Sequence, residues 1–265
     1  MRIRHAVVQL GIALVFAGTA AAQSYAPSAE FKCMQKVAKA QSKFVASKTK
    51  CVTKCYALVW KGLFLGTDEC EPAYGASTAA CVENAEGKFS AAIRTACDPV
   101  FKPGTACPDC YSGGECGPSG EAGNRVQSFE NQLDGLFPGL FCETAPTPFH
   151  LEIDCMKTAS KGVVKYFTKV TKCYDKCYSL VQKGLIASGQ CQPPASEPFT
   201  VACLDDARAN YVKYIKHDCG PPPASPDGCG DPYPTAEEWI DIADAMAVGD
   251  VSMTYCASPS GAFVE

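Results

Sequence analysis

Six cysteines recur twice in the same order along this chain, and that ladder limits what it can fold into more than any other feature. The first set is Cys33, Cys51, Cys55, Cys70, Cys81 and Cys97; the second is Cys155, Cys173, Cys177, Cys191, Cys203 and Cys219. The intervals within the two sets differ by one residue at most. The intervening sequence repeats as well. Phe31 to Leu63 aligns without gaps to Ile153 to Leu185, with 15 of 33 positions identical, including Lys54-Cys55-Tyr56 with Lys176-Cys177-Tyr178 and Lys61-Gly62-Leu63 with Lys183-Gly184-Leu185. Such self-similarity predicts a structural unit used twice. The expected division is a leader over 1–22, a Cys-rich helical repeat over 23–143, a linker over 144–150 marked by Pro146 and Pro148, and a second repeat over 151–265.

What the cysteines do depends on where the chain resides. Arg2 and Arg4, an apolar run over 6–17 and Ala20-Ala21-Ala22 have the form of a secretory leader cleaved before Gln23. The run is shorter than the roughly 20 apolar residues that span a bilayer. No cysteine follows the cleavage site to carry a lipid anchor, and no later stretch is apolar enough for a transmembrane segment. The expected location is therefore secreted or periplasmic. In such an oxidising space 18 cysteines read as a disulfide framework of up to nine bridges. The net charge is −4, and loss of Arg2 and Arg4 with the leader takes it near −6, a balance that argues against a nucleic-acid partner.

The pattern between the cysteines is helical. Val37, Phe44, Val52, Tyr56, Val59 and Leu63 recur close to a 3.6-residue period, and Gly62 and Gly184 are placed to cap the first helix of each copy. A second helix carries Val82, Ala85, Phe89 and Ile93, matched by Leu204, Ala207, Tyr211 and Ile215. A short third helix is expected around Val126, Phe129 and Leu133, and again after the capping pair Thr235 and Glu238, with Trp239, Ile242 and Met246 on one face. No alternating run predicts a strand. The expected fold is all-α: two tandem disulfide-stapled helical-hairpin modules, each with a short third helix.

Rise per residue then suggests the pairing. Cys33 to Cys51 spans about 27 Å of helix and Cys81 to Cys97 about 24 Å. Antiparallel packing brings Cys33 to Cys97 and Cys51 to Cys81, and leaves Cys55 to close the connecting loop through Cys70. The second copy gives Cys155–Cys219, Cys173–Cys203 and Cys177–Cys191. Cys116–Cys142 and Cys229–Cys256 are expected to tether the third helices, with Cys107 and Cys110 in a structural disulfide loop. A Lys/Ala-rich helix with Cys near its start, Lys-Cys-x-x-Lys-Cys near its end, a Lys-Gly stop and a second Cys-bracketed helix resembles secreted, uncharacterised repeat proteins of Gram-negative bacteria. The resemblance covers both copies except the 107–117 loop and implies no activity.

Several residues invite chemistry. Cys107-Pro108-Asp109-Cys110 has the spacing of a redox pair or half a zinc knuckle, to be completed by Cys116 and Cys142, but lies among Pro103, Gly104, Gly113 and Gly114 without a βαβ context. Cys51/Cys55 and Cys173/Cys177 stand at i, i+4 on one helical face, an arrangement that suits Cu(I) if the thiols are free and bridges if they are not. His150 and His217 lack ligand-spaced partners, and no hydrolase, phosphate-loop or zincin motif is present. No catalytic residue, metal site or cofactor is therefore assigned. What does repeat is a lysine stripe: Lys39, Lys43, Lys50, Lys54 and Lys61 in the first copy, Lys161, Lys165, Lys172, Lys176 and Lys183 in the second. It reads as a solvated face, as a strip for an anionic polymer, a lipid surface or an acidic protein, or as a surface neutralised by Asp231, Glu237, Glu238, Asp241, Asp244 and Asp250. The functional expectation is a non-catalytic exported scaffold or binding module for anionic partners; the alternative is a thiolate store for Cu(I) or zinc.

Overall fold

The computed structural model describes residues 28–63, 69–108, 110–111, 116–117, 121–141, 150–219 and 235–256, and the backbone alone for 121–125, 128–129, 136, 138–139 and 150–152. The leader over 1–22, Cys142, Cys229, Asp231 and nearly all of the 144–150 linker lie outside these residues. Six α-helices carry the fold: α1 (Ser28–Val59), α2 (Ala76–Cys97), α3 (Glu121–Phe141), α4 (His150–Gln182), α5 (Pro198–Cys219) and α6 (Ala236–Thr254). A single 3₁₀ turn, Ser188–Cys191, precedes α5. No strand occurs among the described residues, so the all-α expectation holds. None of these helices is long and apolar enough to cross a membrane.

The two long helices stop by the same device. Leu63 N–H donates to the Leu58 carbonyl at 3.0 Å and Gly62 N–H to the Val59 carbonyl at 2.9 Å. Leu185 and Gly184 repeat this on Leu180 and Val181, at 3.0 and 2.8 Å. This is the Schellman closure, which requires a left-handed residue at its turn. Gly62 and Gly184 both supply φ = 67°, a region in which a Cβ is strained. At the other ends, the carboxylate of Glu197 accepts the amides of Phe199 and Thr200 ahead of α5, and Thr235 and Glu238 form the reciprocal capping box of α6.

Disulfides pin α1 antiparallel to α2, and α4 antiparallel to α5. Cys33–Cys97, Cys51–Cys81 and Cys55–Cys70 have Cα separations of 4.9, 5.8 and 5.5 Å. Cys155–Cys219, Cys173–Cys203 and Cys177–Cys191 have 4.6, 5.9 and 5.7 Å. All lie within the range an unstrained bridge needs. These six join the cysteines that helix rise pairs from the sequence.

The remaining bridges differ from the expectation. Cys116 bonds to Cys107, not Cys142, and Cys256 bonds to Cys110, not Cys229. Helix length supplies the reason. Cys116 precedes α3, a 21-residue rod of about 30 Å that ends at Phe141, next to Cys142 in the sequence. Neither α3 nor α6 is short: at 21 and 19 residues they nearly match the 22 residues of α2 and α5. The 98–108 segment instead turns back at Asp98, whose carboxylate accepts the amides of Val100 and Phe101. Tyr111 then donates from its hydroxyl to the Thr254 carbonyl at 2.9 Å, holding Cys110 beside the end of α6.

One core joins the six helices. Tyr56 stacks on Phe141 with centroids 4.6 Å apart, and Tyr178 stacks on Tyr255 at 4.4 Å. These two contacts fall at corresponding places in the repeated sequence. Between α1 and α4, Gln35 donates to Asp175 and Ser179, and Tyr255 of α6 donates to the same Asp175. Since Gln35 lies early in α1 and Asp175 late in α4, the two long helices run antiparallel. Deeper still, Gln41 of α1 donates to Asp250 and Thr254 of α6 at 2.6 and 2.8 Å, a buried polar link that fixes the register of the two elements.

Candidate anion-binding face

All ten stripe lysines are exposed, and among the described residues none lies within ion-pair distance of a carboxylate. The acidic stretch does not cover them. Asp241 of α6 pairs with Arg208 at 2.5 Å, Glu237 pairs with Lys216, Asp244 accepts the Tyr166 hydroxyl, and Asp250 is buried against Gln41. Neutralisation of the stripe by the described members of that stretch is therefore overturned: Glu237, Asp241 and Asp244 are engaged by α4 and α5, Asp250 by α1, and Glu238 caps its own helix.

The structure gathers only part of the stripe. Lys39 and Lys43 of α1 meet Lys172 of α4 across a groove of about 640 Å³, to which Lys36 and the carboxylate of Asp175 also contribute. Lys39 and Lys43, again with Lys36, form one wall of a second groove of about 820 Å³ between α1 and α2, and Lys88 and Lys102 form its other wall. The three α1 lysines thus stand on a ridge between two grooves. Lys50, Lys54, Lys61, Lys161, Lys165, Lys176 and Lys183 line neither groove, although Lys165 lies over the Tyr214 ring, 4.3 Å from its centroid. Lys36, Lys88 and Lys102 escaped the sequence reading because they are not repeated: Thr158 and Asn210 stand where Lys36 and Lys88 stand in the first copy.

One lysine of α1 does something else. Lys48 has no solvent exposure and sits 2.9 Å from Glu130 and 2.8 Å from Asp134, both on α3. Its ammonium faces the Tyr74 ring at 5.4 Å, and the Tyr74 hydroxyl donates to Asp134. Burial together with Asp134 drives the Tyr74 hydroxyl well above its ordinary range. Glu86 of α2 completes the cluster. Burial first, then a hydrogen bond shared with Glu130, pushes its carboxyl up to about 7, so Glu86 carries a proton for much of the neutral range. In the second copy Val170 replaces Lys48 and Arg208 replaces Glu86. The cation that meets the third helix has moved from the first helix to the second, and the charge balance at this junction is kept.

The sulfur chemistry is structural in form. Cys107 and Cys110 each bond elsewhere and not to one another, and every described cysteine is bridged. Cys51, Cys55, Cys173 and Cys177 are likewise bonded, and a bonded sulfur is not the thiolate that a soft metal binds. The sulfurs of Cys33, Cys97 and Cys116 lie within 4.8 Å of one another because two bridges pack side by side beneath the start of α1. His217 is exposed beside Asp218, and the His150 side chain lies outside the described residues.

Comparison of the chain with protein-family models, with curated proteins and with solved structures finds no match.

Proposed function

We propose that this protein is an exported, disulfide-stapled scaffold made of two tandem copies of one helical module, and that it binds anionic partners through the lysine ridge of α1. The observation that carries the reading is the convergence of Lys36, Lys39, Lys43 and Lys172 on one groove in a chain whose net charge is negative; Asp175, the one carboxylate among the described lining residues, accepts hydrogen bonds from Gln35 and Tyr255 and pairs with none of these lysines. Like charges crowd together only at a cost, and an anion in the groove relieves it. The matching bridges, matching helix stops and corresponding aromatic stacks of the two hairpins support the modular reading. The leader-like start and the density of bridges support export.

The test uses the oxidised full chain and inorganic polyphosphate at two salt concentrations. Binding is expected to weaken as salt shortens the screening length from about 10 Å at 0.1 M to about 3 Å at 1 M. The K39E/K43E/K172E variant is expected to lose at least tenfold in affinity. Equal binding by the variant removes the anion reading. Titration of most sulfurs by a thiol reagent in the unreduced protein favours the metal store instead.

A further inference from the structure

The groove between α1 and α2 differs from the one between α1 and α4 in its floor. The rings of Phe44 and Phe89 stack beneath it, 5.2 Å between centroids and each 2% exposed, and Ala46, Ala91, Ala92 and Ala96 form the apolar surface that solvent reaches. Every charged residue among its described lining is a lysine, Lys36, Lys39 and Lys43 on one side and Lys88 and Lys102 on the other, with the hydroxyls of Ser47 and Thr95 beside them. At about 820 Å³ it falls within the range of small-molecule sites, which run roughly 300–1,000 Å³.

The same place in the second hairpin carries other side chains. Cys81 to Cys97 aligns without gaps to Cys203 to Cys219, which sets Tyr214 against Ala92 and Asp218 against Ala96. Tyr214 and Ile215 pack against Gly162, the counterpart of Ala40. A Cβ on Gly162 would come within 2.8 Å of Ile215 Cγ1, so the glycine lets Ile215 approach, while Tyr214 Cδ1 at 3.5 Å would remain in ordinary contact. Lys165, the counterpart of Lys43, is drawn over the Tyr214 ring. Asp218 accepts the Thr158 hydroxyl at 2.6 Å, which puts a carboxylate where the first hairpin has Ala96 beside Lys36. One copy of the same hairpin thus carries a tyrosine and an acidic group at this place, while the other keeps small alanines among five lysines.

We propose that the α1–α2 groove of the first copy binds a single-chain anionic amphiphile: an alkyl chain along the alanine surface over the Phe44–Phe89 stack, with a carboxylate, sulfate or phosphate head among Lys36, Lys39 and Lys43. The proposal rests on the anion-binding reading for its head group and adds the chain. The occupant is a free monomer, because the groove lies between two helices and its lysines rise from both walls around a single chain.

Dodecanoate below its micellar concentration, titrated calorimetrically into the oxidised full chain, is expected to bind one to one. Each methylene taken from water contributes about fourfold, so decanoate is expected to bind roughly fifteenfold more weakly. The dodecyltrimethylammonium cation is expected not to bind. A40G/A92Y copies Gly162 and Tyr214 of the second hairpin and is expected to weaken dodecanoate at least tenfold while leaving polyphosphate binding within twofold. If that variant misfolds, seen as altered circular dichroism or free thiols, K88Q/K102Q is used, which removes lysines found in this groove alone. It is expected to weaken dodecanoate several-fold, and equal binding overturns the proposal. Affinity independent of chain length, equal binding of the cationic detergent, undiminished binding by a folded A40G/A92Y, or binding to anionic phosphatidylglycerol vesicles without binding of the monomer each overturns it. Loss of polyphosphate binding with dodecanoate binding retained overturns the broader reading of the ridge and leaves the groove standing.

Discussion

Replacing Lys48 by Met removes the one cation that α1 holds against α3 among the described residues. At 2.8–2.9 Å and an effective dielectric of about 20, each carboxylate attracts the ammonium by roughly 6 kcal/mol, most of which offsets the desolvation of the three groups. The net loss is therefore not the Coulomb sum. It is the cost of leaving Glu130 and Asp134 packed together with their charge uncompensated, for which buried pairs give about 3–5 kcal/mol. Both carboxylates retain some exposure, 19% and 15%, which puts the expectation near the low end, at about 3 kcal/mol. For a chain of this size that corresponds to a fall of roughly 6–12 °C in Tm. The assay is guanidinium unfolding of the unreduced protein followed by far-UV circular dichroism. The gap should narrow at low pH. Acid removes the negative charge that Lys48 no longer compensates. K48M/E130Q/D134N, which removes both signs of charge, should recover at least half of the loss. A loss below about 1 kcal/mol at neutral pH, or no recovery in the triple variant, refutes the reasoning.

A non-reducing peptide map should join Cys107 to Cys116 and Cys110 to Cys256, and should recover Cys142 and Cys229, the two cysteines left over, in one cross-linked fragment. E86Q should stabilise the protein above neutral pH and not below pH 4.5. The folded Glu86 carboxyl titrates near 7 against 4.5 for the ordinary group, so the wild type is most favoured when that proton is on and loses the advantage between the two values. Since Glu86 is partly solvated, the expected gain in unfolding free energy at pH 8 is only about 1 kcal/mol. A flat difference between wild type and E86Q from pH 4 to 8 counts against the shared proton.

The hairpins were legible because a helix is a ruler. Cys33, Cys51, Cys81 and Cys97 lie on rods of fixed rise, so intervals translate directly into distances, and the duplicate gave the same answer twice. The 107–116 loop has no such ruler: its path depends on the turn at Asp98 and on the docking of Tyr111 against Thr254, contacts between residues 143 positions apart. The lysines divided for a related reason. The stripe was visible as a period, but nothing in the period distinguishes Lys48, which α3 covers, from Lys50, two residues on and exposed. The open groove was recorded in the sequence as Ala40 and Ala92 set against Gly162 and Tyr214. Its meaning depends on knowing that those positions face one another across the hairpin.

The Cys110–Cys256 bond spans 146 residues and ends in the last helix-end turn of the described chain. A chain emerging N-terminus first can complete Cys33–Cys97, Cys51–Cys81 and Cys55–Cys70 as soon as residue 97 is out. Cys110, in contrast, has no correct partner until residue 256 arrives, about 7–30 s later at ordinary synthesis rates. Oxidation and reshuffling of thiols begin within seconds, and Cys107 stands three positions away throughout the wait. Any Cys107–Cys110 bond formed during that wait has to be exchanged before Cys110 can join Cys256.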